Sequence, residues 1–227
     1  MMDFSSTPWR ALLFDMDGTL VDNMAYHAQT WRQFFGSKGF PWANDDAAIW
    51  ERTHGTIEEI VRRIFGEHLT DEEVAQLGAE KEGLYRELYL PHIAPIAGLD
   101  AVIDAARDSG LKLGLGTAGG APNIAFVLDE LQLRPYFGAI VGGEDVSRGK
   151  PHPEVYLKTA ARLKVAPEAC LVFEDTAVGV RSAQRAGMAC VALTTTRPAE
   201  EFARYPNVVQ VIADYTELDL AQLTASV

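Results

Sequence analysis

The residues with the clearest chemical potential are the two carboxylates of Phe14-Asp15-Met16-Asp17-Gly18-Thr19. They stand two positions apart where an apolar run, Ala11–Phe14, comes to its end. If that run is a strand, its period of two sends both acids to the same side. An acid at the carboxyl end of a buried parallel strand lies in the crevice where open α/β sheets bind ligands. Gly18 lets the chain turn sharply out of the strand. An acidic loop would explain Asp17-Gly18 alone, since both are common turn residues, but not Asp15 joined directly to an apolar strand.

Further groups follow later apolar runs. Thr117 comes after Leu111–Gly116 and offers a hydroxyl and nearby backbone amides to a phosphate oxygen. Lys150, in Gly149-Lys150-Pro151-His152-Pro153, follows Ala139–Val141 and offers a positive charge between Gly and Pro. Taken alone it reads better as a solvated loop lysine. Glu174 and Asp175 end the run that begins at Cys170, and hard carboxylates there suit Mg²⁺. Four successive strand ends would then carry acid, hydroxyl, cation and acid, a convergence that residue-by-residue explanations do not reproduce.

These groups need a scaffold that brings strand ends together. Six short runs, Ala11–Phe14, Leu111–Gly116, Ala139–Val141, Cys170–Phe173, Cys190–Leu193 and Val208–Ile212, are continuously apolar apart from Lys112 and Gln210. That suits strands covered on both faces. Helical spacing lies between most of them: Leu99, Val102, Ile103 and Ala106, then Ile124, Val127, Leu128 and Leu131. Strand and helix in alternation predict βαβ units and a parallel sheet. From about Met24 to about His92 only helical spacing is seen, as at Ile57, Ile60, Val61 and Ile64. Thr70 and Glu73 form a capping-box pattern ahead of a long helix carrying Val74, Leu77, Lys81, Leu84, Tyr85 and Leu88. Pro91 and Pro95 mark the return to the sheet. The expected architecture is α/β: a Rossmann-like parallel-sheet core flanked by helices, residues 1–22 and 96–227. An α-helical cap, residues 23–95, is inserted on hinge linkers and could close on a ligand.

Composition narrows the partners. The chain has 227 residues, 48% hydrophobic and 23% charged, the balance of a soluble globular protein. A formal net charge of -12 argues against nucleic acid and anionic membrane, both of which want basic faces. No apolar run reaches the ~18 residues of a membrane span. The opening Met1-Met2-Asp3-Phe4-Ser5 has neither a basic region nor an apolar signal core, so a cytoplasmic location is expected. Cys170 and Cys190 each open an apolar run and read as buried free thiols. A monomer or small homo-oligomer is expected.

Together, Asp15-Met16-Asp17-Gly18-Thr19, Thr117, Lys150 with Pro151 and Pro153, and Glu174-Asp175 resemble the haloacid dehalogenase superfamily in order and spacing. The likeness is to its β-phosphoglucomutase-like branch with a helical cap, and it spans nearly the whole chain. The departure is Thr117-Ala118-Gly119, where many relatives carry a second small polar residue. The resemblance implies a Mg²⁺-dependent phosphatase acting on a small phosphorylated metabolite, a sugar or polyol phosphate. Asp15 would be the nucleophile that becomes an aspartyl phosphate, and Asp17 the general acid and then base. Mg²⁺ would sit on Asp15, Asp175 and the Asp17 carbonyl, with Glu174 in support. Thr117, Ala118 and Lys150 would hold the transferring phosphate. The resemblance also implies a hinge or supporting role for His27 and substrate-facing cap positions for His54 and Lys81. His68, His92 and His152 read as surface or loop residues.

Three alternatives stand beside this reading. A β-phosphoglucomutase would need a cap lysine and arginine on a second phosphate. The matching stretch, Arg52–Glu58, offers His54 and Glu58 there, with Arg52, Arg62 and Arg63 nearby. A dinucleotide-binding oxidoreductase is suggested by the literal G-x-G-x-x-G of Gly114-Leu115-Gly116-Thr117-Ala118-Gly119, with Glu144 further on. A non-catalytic binding protein on the same fold is the third.

Overall fold

A computed structural model describes residues 9–219; the opening segment Met1–Ser5 lies outside them. The strands are β1 (Ala11–Phe14), β2 (Lys112–Gly116), β3 (Phe137–Val141), β4 (Cys170–Glu174), β5 (Ala189–Leu193) and β6 (Val208–Ile212). They form one sheet in the order β3-β2-β1-β4-β5-β6, and every pairing is parallel. The chain leaves β1 toward β2 and β3 on one side and fills β4, β5 and β6 on the other. The strand order therefore reverses beside β1, where α/β sheets open a ligand crevice.

Alternation along β1 decides what covers the sheet. Leu12 and Phe14 face one way, into a cluster with Leu115, Phe173, Val102 and Val127. The helices on that face are α5 (Leu99–Asp108) and α6 (Ala121–Glu130). Ala11 and Leu13 face the other way, against Val155, Ala160 and Val180. Those belong to α7 (Glu154–Leu163) and α8 (Ala177–Arg185). The central strands β1, β4 and β5 are buried at every residue. β6 departs from the expected covering on both faces. As an edge strand, paired only with β5 among the described residues, it leaves Val209 and Gln210 exposed.

Between β1 and α5 come four helices: α1 (Met24–Ser37), α2 (Asp46–Arg52), α3 (Ile57–Phe65) and α4 (Asp71–Tyr89). The capping box of Thr70 and Glu73 starts α4, and a second one, Thr56 with Glu59, starts α3. Trp31, Phe34, Phe35, Ile49 and Ile60 give these helices an apolar cluster of their own. Tyr85 and Tyr89 of α4 instead pack into the cluster beneath, which seats the helices on the sheet's α5–α6 side. The chain enters and leaves this layer side by side: Val21 and Pro95 form an antiparallel bridge, and the Ile96 amide donates to the Leu20 carbonyl at 3.0 Å. No helix among the described residues is long and apolar enough to cross a membrane.

Candidate active site

A cleft of about 1000 Å³ lies between the carboxyl ends of the strands and the α1–α4 layer. Its floor is set by strand order, because β3, β2, β1 and β4 are neighbours. Asp15 and Asp17 follow β1, Thr117 follows β2, Lys150 lies beyond β3, Glu174 ends β4 and Asp175 follows it, and all six line the cleft. Asp15 and Asp17 sit just past the last strand residue, in a turn through Gly18 at φ +73°. A side chain at Gly18 would meet both an unfavourable backbone and the Asp175 carboxyl.

Asp15, Glu174 and Asp175 are buried, each with a carboxylate oxygen within 4.8 Å of the others'. Lys150 Nζ donates to Asp15 Oδ1 at 2.7 Å, to Glu174 Oε1 at 2.6 Å and to the Tyr156 hydroxyl at 3.0 Å. Tyr156, on α7, donates in turn to Glu174 Oε1 at 2.7 Å. The other Glu174 oxygen accepts from the amides of Asp175 and Thr176 and from the Thr176 hydroxyl. α8 comes this close only because residue 179 is glycine; a β-carbon there would collide with the Glu174 carboxyl. Glu174 is thus saturated by the protein. Asp175 is not: Oδ2 accepts from the Thr196 hydroxyl, while Oδ1 is buried without a partner.

Three carboxylates against one ammonium leave the floor two charges short of neutral, and the acids register it. Burial, opposed by the Lys150 charge and reinforced by Glu174 and Asp17, pushes Asp15 up to about 7. Burial, then Glu174 and Asp15, raises Asp175 well above the carboxylate range. Lys150 is raised despite burial by the charges of Asp15 and Glu174. A deficit of two charges, hard oxygen donors and an orphaned Asp175 oxygen all fit a divalent cation such as Mg²⁺.

Asp17 has different surroundings. Asn23 Nδ2 donates to its Oδ1 at 2.6 Å and lies 2.6 Å from the Tyr85 hydroxyl, while Asn23 Oδ1 accepts from the Gly18 amide. His27, stacked on Tyr85 with ring centroids 3.9 Å apart, brings Nε2 to 3.6 Å from Asp17 Oδ1. Burial works against ionisation of Asp17, but His27 and Asn23, with the Lys81 charge, outweigh it and hold the carboxyl below its usual range.

The other expected residues divide. Thr117 is at the floor, but its own amide donates to the Val141 carbonyl and the Gly119 amide to the Thr117 hydroxyl oxygen. The hydroxyl proton, rather than a run of free amides, is what Thr117 offers; Ala118 lines the cleft beside it. His54 reaches the cleft from an exposed loop. Lys81 is buried at 1% exposure, its Nζ on His27 Nδ1 at 3.0 Å and Glu82 at 2.8 Å. It touches the cleft wall but is no freely extended cation. His68 and His92 are exposed, as expected; His152 is half-buried near Glu154.

Tyr156 and Thr196 escaped the sequence reading. Thr196 lies in Thr194-Thr195-Thr196, a polar run directly after β5, and extending the strand-end argument to a fifth strand would have found it. Tyr156 sits six residues beyond Lys150 and looks like an ordinary core residue of α7.

The glycine fingerprint has another explanation. A β-carbon at Gly114 would strike Thr159 of α7, so the strand glycine serves helix–sheet packing. Glu144 accepts from the Ala121 amide at 3.0 Å, capping α6.

Comparison with known proteins bears on identity. The chain is 32% identical over 190 residues to protein CbbY of Rhodobacter capsulatus, covering 80% of this chain and 84% of that protein. It is 31% identical over 183 residues to the fructose-1-phosphate phosphatase YqaB of Escherichia coli K12, covering 81% and 95%. The crystal structure of CbbY from Rhodobacter sphaeroides in complex with phosphate superposes with a TM-score of 0.80 at 26% identity, covering 95% of this chain and 99% of that one. Residues 12–193 match the haloacid dehalogenase-like hydrolases, a span that holds Asp15, Asp17, Thr117, Lys150, Glu174 and Asp175. This chain belongs to that family, and it is an enzyme of the phosphatase kind for which its relatives are named.

Proposed function

We propose that this protein is a Mg²⁺-dependent phosphatase that hydrolyses a small sugar or polyol phosphate through an aspartyl phosphate on Asp15. The observation that carries this reading is the meeting of Asp15, Thr117, Lys150, Glu174 and Asp175 at four neighbouring strand ends. The side chains of Asp15 and Asp175 and the main-chain carbonyl of Asp17 would hold the ion, with Glu174 in support. Bound there, Mg²⁺ would offset the repulsion between the nucleophile and an anionic phosphate.

A carboxylate oxygen of Asp15 attacks phosphorus as the bond to the ester oxygen breaks, and Asp17 gives that oxygen its proton. Asp17 then takes a proton from water, which attacks phosphorus and releases phosphate and free Asp15. Lys150 and the Thr117 hydroxyl stabilise the charge on the transferring group. The protein's own groups by themselves hold Asp15 toward its protonated form and Asp17 toward its anion, the reverse of these roles. A divalent cation held by Asp15 and Asp175 would lower the pKa of Asp15, and a phosphate dianion in the cleft would raise that of Asp17, each toward the state its role requires. Residues 23–95 act as a cap that closes over this floor on the linkers around Asp22–Met24 and His92–Ala97.

The cations nearest the mutase positions favour hydrolysis. Arg52 donates to the Ala48 carbonyl and Glu51, Arg62 binds Glu58 and Asp71, and Arg63 binds the carbonyls of Arg52 and His54. With Lys81 buried, each is committed before a second phosphate arrives. The test is phosphate release from a panel of sugar and polyol phosphates, with Mg²⁺ and with EDTA. Mg²⁺-dependent release is expected. Efficient conversion of β-glucose 1-phosphate to glucose 6-phosphate with a trace of 1,6-bisphosphate, and little free phosphate, would overturn it.

A further inference from the structure

One buried side chain of the sheet domain makes its hydrogen bonds to the helical layer above it. Asn123, in the first turn of α6, is 4% exposed. Its Nδ2 donates to Glu82 Oε2 at 2.6 Å and its Oδ1 accepts from Arg86 Nη1 at 2.7 Å. The amide has one orientation that serves both partners: turned over, it would set oxygen against carboxylate and N–H against guanidinium. Glu82 and Arg86 lie one turn apart on α4, so this amide fixes both the height and the rotation of that helix.

The consequences run along α4 into the reaction centre. Glu82 Oε1 accepts from Lys81 Nζ at 2.8 Å, and Lys81 lies 3.0 Å from His27 Nδ1. An ammonium has only protons to give, so His27 Nδ1 is the acceptor and the ring proton is on Nε2. That Nε2 is the atom 3.6 Å from Asp17 Oδ1, too far for a hydrogen bond but close enough for its N–H dipole to act on the carboxylate. Asn123, Glu82, Lys81 and His27 thus form a chain from α6 through α4 and α1 to Asp17, and its links through Glu82, Lys81 and Asn123 are short and largely buried.

We propose that Asn123 is a positioning residue for Asp17: by locking Glu82 and Arg86 it holds Lys81 on His27 and so orients the Nε2–H that faces the catalytic carboxylate. The proposal rests on the reading of Asp17 as general acid. It makes proton donation depend on seating α4 against α6, because lifting the helical layer breaks both bonds to Asn123 and frees the Glu82–Lys81 pair.

A purely structural Asn123 would lower activity toward all esters alike. A positioning residue acts where a proton is needed. The experiment measures kcat/KM, which reports aspartylation, for aryl phosphates ranging from good to poor leaving groups, in wild type, Asn123→Ala and Glu82→Gln. Loss of about tenfold is expected for poor leaving groups and far less for dinitrophenyl phosphate, with the same pattern in both variants. The double variant should be little worse than either single one, since both cut one chain. Equal loss for every ester, or additive losses, would overturn the proposal. Should Asn123→Ala fail to fold, Glu82→Gln carries the same readout. The ¹⁵N shifts of His27 give a test free of turnover: a protonated Nε2 and acceptor Nδ1 in wild type, and mixed tautomers in the variants. Identical His27 spectra would also overturn it. If no aryl phosphate is hydrolysed but the tautomer shifts as expected, the phosphatase reading fails and the positioning of His27 stands.

Discussion

On the floor of the cleft, Asp15, Thr117, Glu174 and Asp175 are at most 8% exposed and fixed by strand ends whose register the sheet determines. On the roof, His54, Glu58 and Asp71 are exposed and held by loops or helix termini. The floor keeps like charges close in a dry setting, which is tolerable only if something positive joins them. The roof keeps its charges in water, where each contributes little to stability and is free to vary. On the proposed reading, chemistry sits where change is costly, and the contacts that choose the leaving group sit where it is not.

The contrast predicts a gradient of mutational effect. Asp15→Asn should abolish hydrolysis, about 10⁴-fold or more, because a neutral amide is a poor nucleophile and a poor metal ligand. Steady-state phosphate release checks this, and a substantial residual rate would end the covalent mechanism. Asp17→Asn should cost roughly 10²–10⁴-fold. In single-turnover phosphorylation the loss should shrink for esters with good leaving groups, which need no proton; equal loss would remove Asp17 from the acid role.

Next in size is a proton linkage on the floor. With Asp15 held up to about 7 by burial, Mg²⁺ must displace its proton in acid solution. Affinity should weaken by about tenfold per unit or more as the pH falls below 7, because Asp175 is raised as well and has its own proton to lose. Calorimetric titration in two buffers of different ionisation enthalpy measures the released proton, and equal affinity at pH 5.5 and 7.5 would contradict the link. The smallest effect belongs to the roof. His54→Ala should move KM for the preferred ester by about two- to fivefold and the thermal midpoint by no more than about 2 °C. A loss comparable with Asp17→Asn would erase the distinction between the two surfaces.

The same division governed what was readable in the sequence. Asp15, Thr117, Lys150 and Glu174-Asp175 could be found because apolar runs end abruptly in polar residues, and parallel strands must gather those ends at one edge. Thr70 and Glu73 announced α4 for a similarly local reason. Tyr156 gave no such signal, since a tyrosine on an apolar helix face looks like core until its hydroxyl is seen on Glu174. Lys81 was readable as a cap residue but not as a buried partner of His27, because that depends on how α1 and α4 pack. Nor could spacing show that Asn23 and Asn123 bind residues far along the chain.

The bridge between Val21 and Pro95 has an evolutionary consequence. Because the α1–α4 excursion departs and returns at adjacent points, extra chain in its exposed turns is nearly invisible to the sheet: doubling a flexible loop adds only about 0.6 kcal/mol of closure entropy. Natural selection can therefore lengthen, trim or exchange these helices while β1 keeps its pairing with β4, and Asp15 its place beside Asp175. One bridge of two residues in this way uncouples the reach of the helical layer from the geometry of the floor.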